Sequence, residues 1–204
     1  MKRKQGNIGT KILSKLGGSK VLWAIRWDMQ HVRELEESTG RRKIVGVSYY
    51  EYISTGKPTI ELVKDVVLNG INAETDEKIL SGLEWEGACV WLSSENQFNY
   101  KTAYDLAIQT NGANLPITFK LGTTEKPIYK TFDSVEELTT FYTSAVNHVS
   151  DCLNEGWRKK DSVNWTAYES ILNKDENQMG TDEVKDFIKK GGIKKFINLK
   201  NMKK

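Results

Sequence analysis

Residues 115–138 read LPITFKLGTTEKPIYKTFDSVEEL, and a change of period inside this stretch decides the fold class. Leu115, Ile117, Phe119 and Leu121 alternate with Thr118 and Lys120, and Ile128, Lys130 and Phe132 return after a turn at Gly122 to Lys126. Alternation at period two on both sides of a turn predicts a β-hairpin. The period then becomes helical. Ser134 and Glu137 have capping-box spacing, and Val135, Leu138, Tyr142, Val146, Val149, Leu153 and Trp157 form one apolar stripe. Asp133, Glu136 and Glu137 stand at the positive end of the expected helix dipole, and Arg158, Lys159 and Lys160 at its negative end. One helix is predicted over about 134–160, roughly 40 Å long at 1.5 Å per residue.

Upstream, Val21, Trp23, Ile25 and Trp27 alternate as in a strand, and Ile44, Val45, Val47, Tyr49, Tyr50 and Tyr52 favour a second. Together they predict a long hairpin with its tip near Ser38, although Met29, Val32 and Leu35 also fit a short helix. After Gly56 and Pro58 the apolar residues Ile60, Val63, Val67 and Leu68 predict a helix that stops at Asn69-Gly70, with a further helical turn near Asp76 to Leu80. Leu83 to Leu92 reads as two short strands about Glu86-Gly87 that send Trp85, Val90 and Trp91 to the core. Ser94 with Gln97 is a second capping-box pattern, opening a helix through Phe98, Tyr104, Leu106 and Ala107 that ends at Asn111-Gly112. A short helix is expected from Trp165 to Leu172. Hairpins not separated by regular crossover helices indicate an α+β fold, with antiparallel hairpins packed against about three helices.

The net charge of +3 conceals a segregation. Residues 1–20 carry six basic side chains and no acid, residues 185–204 carry eight Lys against Asp186, and residues 21–184 hold 16 basic and 26 acidic side chains, a net of −10. Like charges repel and keep a segment solvated. The organisation expected is therefore a basic N-terminal arm (1–20), a body (21–172), and a polar linker with a basic tail (173–204). Both ends also carry apolar residues at spacings that suit docking on a partner. The residues singled out for partner binding are Lys2, Arg3, Lys4, Ile8, Lys11, Ile12, Leu13 and Leu16 at one end, and Ile193, Lys194, Lys195, Phe196 and Ile197 at the other. Removing the arm is expected to leave the body folded.

Little points to catalysis. Cys89 and Cys152 have no CxxC spacing, and His31 and His148 lack the sequence neighbours of a triad or zinc site. Phosphate-loop patterns of either glycine-rich type are absent, so no cofactor, metal or catalytic residue is expected. No apolar run is long enough for a membrane span or a signal peptide, so an intracellular origin is expected. Trp23, Trp27, Tyr49, Tyr50 and Tyr52 lie close to Arg26, Arg33, Arg41 and Arg42, a mixture able to stack single-stranded nucleic acid. The acidic body opposes that, so a nucleic-acid contact is expected through the basic ends.

Three runs carry a family resemblance: Trp91-Leu92-Ser93-Ser94-Glu95-Asn96-Gln97-Phe98, Ala103-Tyr104-Asp105-Leu106-Ala107, and Leu115 to Gly122. They continue in Phe132 to Leu138, Phe141-Tyr142, and Leu153-Asn154-Glu155-Gly156-Trp157, with Trp23 and Arg26-Trp27 upstream. In these residues the chain resembles an uncharacterised domain family of phage-encoded proteins, especially those of Bacteroidales phages and prophages, including crAss-like phages. The resemblance implies a virion structural protein, a head or tail fibre or decoration component, made in the bacterial host cytoplasm. It also implies capsid or tail proteins as partners and a homo-oligomer, a dimer being favoured. It supplies no catalytic residue, and neither basic end belongs to its pattern.

Overall fold

The computed structural model describes residues 2–17, 21–37 and 40–174. The fold is α+β, as expected. In chain order the elements are β1 (Lys4–Gly6), β2 (Leu13–Leu16), β3 (Leu22–Glu36), β4 (Arg41–Thr55), α1 (Ile60–Ser81), β5 (Leu83–Trp85), β6 (Ala88–Val90), α2 (Ser94–Gln109), β7 (Ile117–Gly122), β8 (Pro127–Phe132) and α3 (Val135–Asp161). A helical segment at 165–174 follows. The described residues fall into two compact units, residues 68–163 and residues 2–67 with 164–174.

In the first unit, hairpins β5–β6 and β7–β8 and helices α2 and α3 enclose an aromatic cluster. Phe141 is its hub, with ring centroids 5.5 Å from Trp85, 5.0 Å from Tyr100, 5.8 Å from Phe119 and 5.0 Å from Phe132. Val90, Leu92, Leu121 and Leu138 complete the buried set, whereas Trp91, expected inside, is 49% exposed. Helix α3 starts where its cap was read, because the Ser134 hydroxyl accepts from Glu137 N at 3.2 Å. The Glu137 carboxylate pairs with Lys130 instead of closing the box. Helix α2 is capped one residue earlier than expected: Ser93 accepts from Asn96 N, and the Gln97 amide donates to Leu92 O.

The apolar stripe read along α3 faces the core only in part: Leu138 is buried and Val135, Tyr142 and Val149 pack against the cluster. Leu138, Phe141, Ala145, Cys152 and Gly156 are buried, while Val146 and Trp157 are 43% and 55% exposed. Small residues at 145, 152 and 156 let neighbouring elements approach closely, which the stripe of large residues concealed. Helix α1 also runs unbroken through Asn69-Gly70, where a stop was expected. Its buried residues Val63, Val67, Ile71 and Thr75 keep helical spacing across that pair. Burial of that continuous face outweighs the cost of about 1 kcal/mol that glycine imposes inside a helix.

Gly156 of α3 lies against Thr75 of α1, and a Cβ at Gly156 would stand 2.5 Å from Thr75 Oγ1. Ion pairs flank the contact: Lys78 to Glu155 at 2.6 Å and Lys159 to Glu74 at 2.5 Å. Gly156→Ala is expected to destabilise the protein by about 1–2 kcal/mol, overpacking outweighing the gain in helix propensity. With Thr75→Ala in place, Gly156→Ala should become neutral or stabilising, a reversal readable from urea unfolding midpoints.

Candidate functional site

The second unit is built on a four-stranded antiparallel sheet in the order β1-β4-β3-β2. Strands β3 and β4 form the long hairpin expected from the sequence, with no helix at 29–36. Residues Trp23 to Trp27 are buried on both faces, so Ala24 and Arg26 are enclosed along with Trp23, Ile25 and Trp27. Beyond a bulge between Trp27 and Gln30 the hairpin continues to Glu36 and Arg41, and most of its side chains there are exposed. The two edge strands are short: β2 pairs with β3 only over Leu22–Ile25, and β1 with β4 only over Val47–Tyr49. Among the described residues, the distal half of the hairpin is therefore a two-stranded ribbon with both backbone edges uncovered. Unpaired strand edges are templates for pairing with another chain.

The N-terminal residues expected as an arm are part of this sheet. Residues 4–6 and 13–16 supply its two edge strands, and the chain crosses between them through residues 7–12. The charges that made the segment resemble a tail find their partners inside the unit. Arg3 donates to Asp28 Oδ2 at 2.6 Å, to Asp28 O at 2.5 Å and to Ser48 O at 3.1 Å, and its guanidinium lies 4.8 Å from the Tyr50 ring. Lys4 pairs with Glu51 at 2.5 Å, and Leu13 is fully buried. Lys2 and Lys11 are exposed, Ile12 and Leu16 half-buried, and Ile8 is 60% exposed. Ile193, Lys194, Lys195, Phe196 and Ile197 lie outside the described residues.

Arg26 organises this arrangement. Its Nε donates to Glu51 Oε2 at 2.8 Å, and its Nη1 donates to Lys11 O at 2.9 Å and to Ser14 Oγ at 2.8 Å. The guanidinium also lies 5.2 Å from the Tyr49 ring, and the Arg26 backbone N–H donates to Ile12 O at 2.7 Å. On its other side, Arg26 O accepts from the Tyr168 hydroxyl at 2.6 Å, which ties the 165–174 segment to the same strand. Burial pushes the Tyr168 hydroxyl up to about 12, so it remains a neutral donor. Asp28, held by Arg3, takes a left-handed backbone with φ 49° at the bulge. A non-glycine residue there is uncommon, and a bulge bends its strand, so Arg3 fixes the point where the ribbon leaves the enclosed part of the sheet.

His148 and Cys152 are packed together where α3 meets α1. His148 Nε2 lies 3.0 Å from Lys78 O and 3.6 Å from Cys152 Sγ, and burial pushes the Cys152 thiol up, away from the nucleophilic thiolate. Among the described residues no group of three or more His, Cys, Asp or Glu could hold a metal ion, and no helix is long and apolar enough to cross a membrane. The sequence reading overlooked the pairing of Arg26 with Glu51. Its only signal was a charged residue at the centre of an otherwise buried strand.

Residues 63–183 match the model of a family described as Domain of unknown function (DUF4376). No curated protein and no solved structure matches the chain.

Breaking a buried ion pair from one side leaves a charge without its partner and costs about 3–5 kcal/mol. Glu51→Gln is therefore expected to lower unfolding stability by about that amount, whereas Lys4→Ala, on the exposed side of the same carboxylate, should cost under about 1 kcal/mol. Chemical denaturation followed by tryptophan fluorescence separates the two.

Proposed function

The chain belongs to the DUF4376 family, and we propose that it acts by binding, as a structural component of a phage particle: a head or tail fibre or decoration protein that joins other virion subunits. The observation that carries this reading is the ribbon of residues 30–36 and 41–45, which among the described residues has main-chain donors and acceptors uncovered along both edges. Addition of a strand to a partner's sheet uses such an edge for affinity and the flanking side chains for selection. The resemblance to phage-encoded proteins supplies the setting. The anchor moves from the N-terminal residues to the ribbon, because Arg3, Lys4 and Leu13 are already engaged within the sheet.

A second reading has an observation of its own. Arg33, Arg41, Arg42 and Lys43 stand on the ribbon, and a two-stranded ribbon fits the DNA major groove. As a nucleic-acid accessory protein the chain would bind duplex DNA with an affinity that falls steeply with salt. Absence of binding at about 50 mM salt would remove this reading.

Replacing residues 33–45 by Asn-Gly, a favoured two-residue hairpin turn, shortens the ribbon while leaving residues 22–27 and 47–55 intact. The shortened protein is expected to keep its thermal midpoint within a few degrees and to be missing from purified particles in which the full chain is found by mass spectrometry. Undiminished incorporation would refute the ribbon as the anchor, and absence of the full chain from particles would refute the virion role.

A further inference from the structure

The face of α3 beside its buried stripe has the properties of a helix-pairing surface. Tyr142, Val146, Val149, Leu153 and Trp157 follow one another at spacings of four, three, four and four residues, close to the repeat that keeps one seam facing a partner helix. Val146 and Trp157 are exposed, whereas Tyr142, Val149 and Leu153 are half-buried, Tyr142 stacking on Tyr104 at 4.6 Å and packing with Val149 against the aromatic cluster, so each presents one side only. From Leu138 to Ser150 the helix has no Asp, Glu, Lys or Arg, in a chain that is 28% charged. Its exposed positions there include Thr140, Thr143, Asn147 and Ser150. A solvated helix face ordinarily carries charge, and depletion of charge marks the centre of interfaces. Beside this seam, α2 adds Phe98, 68% exposed, and the two helices bound a groove of about 290 Å³ lined by Phe98, Tyr142, Val146 and Val149, with Gln97 and Lys101, the latter paired with Asp105, at its α2 side.

Charge identifies the occupant. The first turn of α3 is acidic, with Glu136 and Glu137, and its last turn is basic, with Arg158, Lys159 and Lys160; Glu137 and Lys159 are engaged within the unit by Lys130 and Glu74, so the contrast presented to a partner rests on Glu136 against Arg158 and Lys160. A second copy of the helix laid antiparallel brings the acidic end of each against the basic end of the other and opposes the two dipoles. A parallel copy would bring like charges together. With Val146 opposite the partner's Val149, Tyr142 falls opposite the partner's Leu153, and the two-fold axis passes between Asn147 and His148. On a helical wheel of about 100° per residue, Glu136 and Arg158 lie on the same flank of the seam. Both stand roughly 100–140° from the centre of the seam, so they add to the end-to-end charge contrast and do not form a contact pair. Phe98, lining the groove with Val146 and Val149, comes close to the axis and packs against its own copy, which makes α2 and α3 of both chains a four-helix layer.

We infer that the chain self-associates as a two-fold dimer through this α2–α3 face, with α3 antiparallel to its copy. The seam from Tyr142 to Trp157 is only about 22 Å long, small for an obligate dimer, so the dissociation constant is expected in the range of about 1–50 µM.

Sedimentation velocity of the full chain from about 2 to about 200 µM tests this directly. The mass is expected to rise from 23.2 kDa towards twice that value. Val146→Asp and Ser150→Arg should each hold the protein at the monomer mass across the range; Ser150 is exposed, so its variant serves even if Val146→Asp perturbs folding. Glu136→Lys should weaken association about twofold, more at low salt, and adding Arg158→Glu to the same chain should reverse the loss. A monomer at the highest concentration, or a dimer indifferent to Ser150→Arg, would overturn the proposal. Failure of the double exchange to restore association would overturn the antiparallel arrangement.

Discussion

A guanidinium enclosed in the middle of a β-strand is tolerated only when its donors and its charge are met, and the way Arg26 is met determines the architecture of its unit. The Glu51 carboxylate lies on the neighbouring strand, while Lys11 O and Ser14 Oγ belong to the N-terminal segment. One side chain thus joins the hairpin to β2 and to the crossing that precedes it. Because Glu51 also accepts Lys4, and Arg3 reaches Asp28 at the bulge, the same segment is held at both ends of its crossing. The tyrosines use both faces of β4: Tyr49 lies beneath Arg26 and Tyr50 beneath Arg3.

This clasp divides the hairpin into two regions of different physical character. Where β1 and β2 cover its edges, the strands are buried and their backbone groups are paired within the sheet. Past the bulge nothing among the described residues covers either edge, and the side chains are mostly charged or polar. Edge charges are a common means of discouraging indiscriminate strand pairing. A ribbon that carries Arg33 and Glu34 side by side is suited to a partner with matching charges rather than to general aggregation. The aromatic cluster around Phe141 serves its own unit in an analogous way, holding α2 and α3 in register so that one face of α3 is enclosed and its neighbour is not.

Much of the fold was legible because local signals agreed with one another. Alternation at 117–132, the Ser134 cap and the charges at the ends of α3 all point to the same elements, and the structure contains them. What failed depended on partners distant in sequence. Arg3 and Lys4 were read as solvated because no acid lies nearby in the chain, yet Asp28 and Glu51 reach them through the sheet. The Asn69-Gly70 pair was read as a stop on local grounds, whereas the continuing buried face of α1 overrides it. The α3 stripe was only part of the buried face, because large side chains dominate a periodicity reading: Leu138 is in the core, with Val135, Tyr142 and Val149 against it, but Ala145, Cys152 and Gly156 form the closer contact. The ribbon itself was visible as a long hairpin, but its uncovered state depended on how short β1 and β2 turn out to be, which no local pattern in residues 1–20 reveals.

Hydrogen exchange resolved to single amides, on the isolated chain, tests the central claim most directly: that residues 4–16 are a built-in clasp and the ribbon beyond Asp28 is an uncovered edge. The amides of residues 13–16 are expected to exchange as slowly as those of residues 22–27, and the outward-facing amides of residues 31–36 to exchange far faster. Exchange of residues 4–16 at the rate of an unstructured chain, with residues 22–27 still protected, would contradict the account.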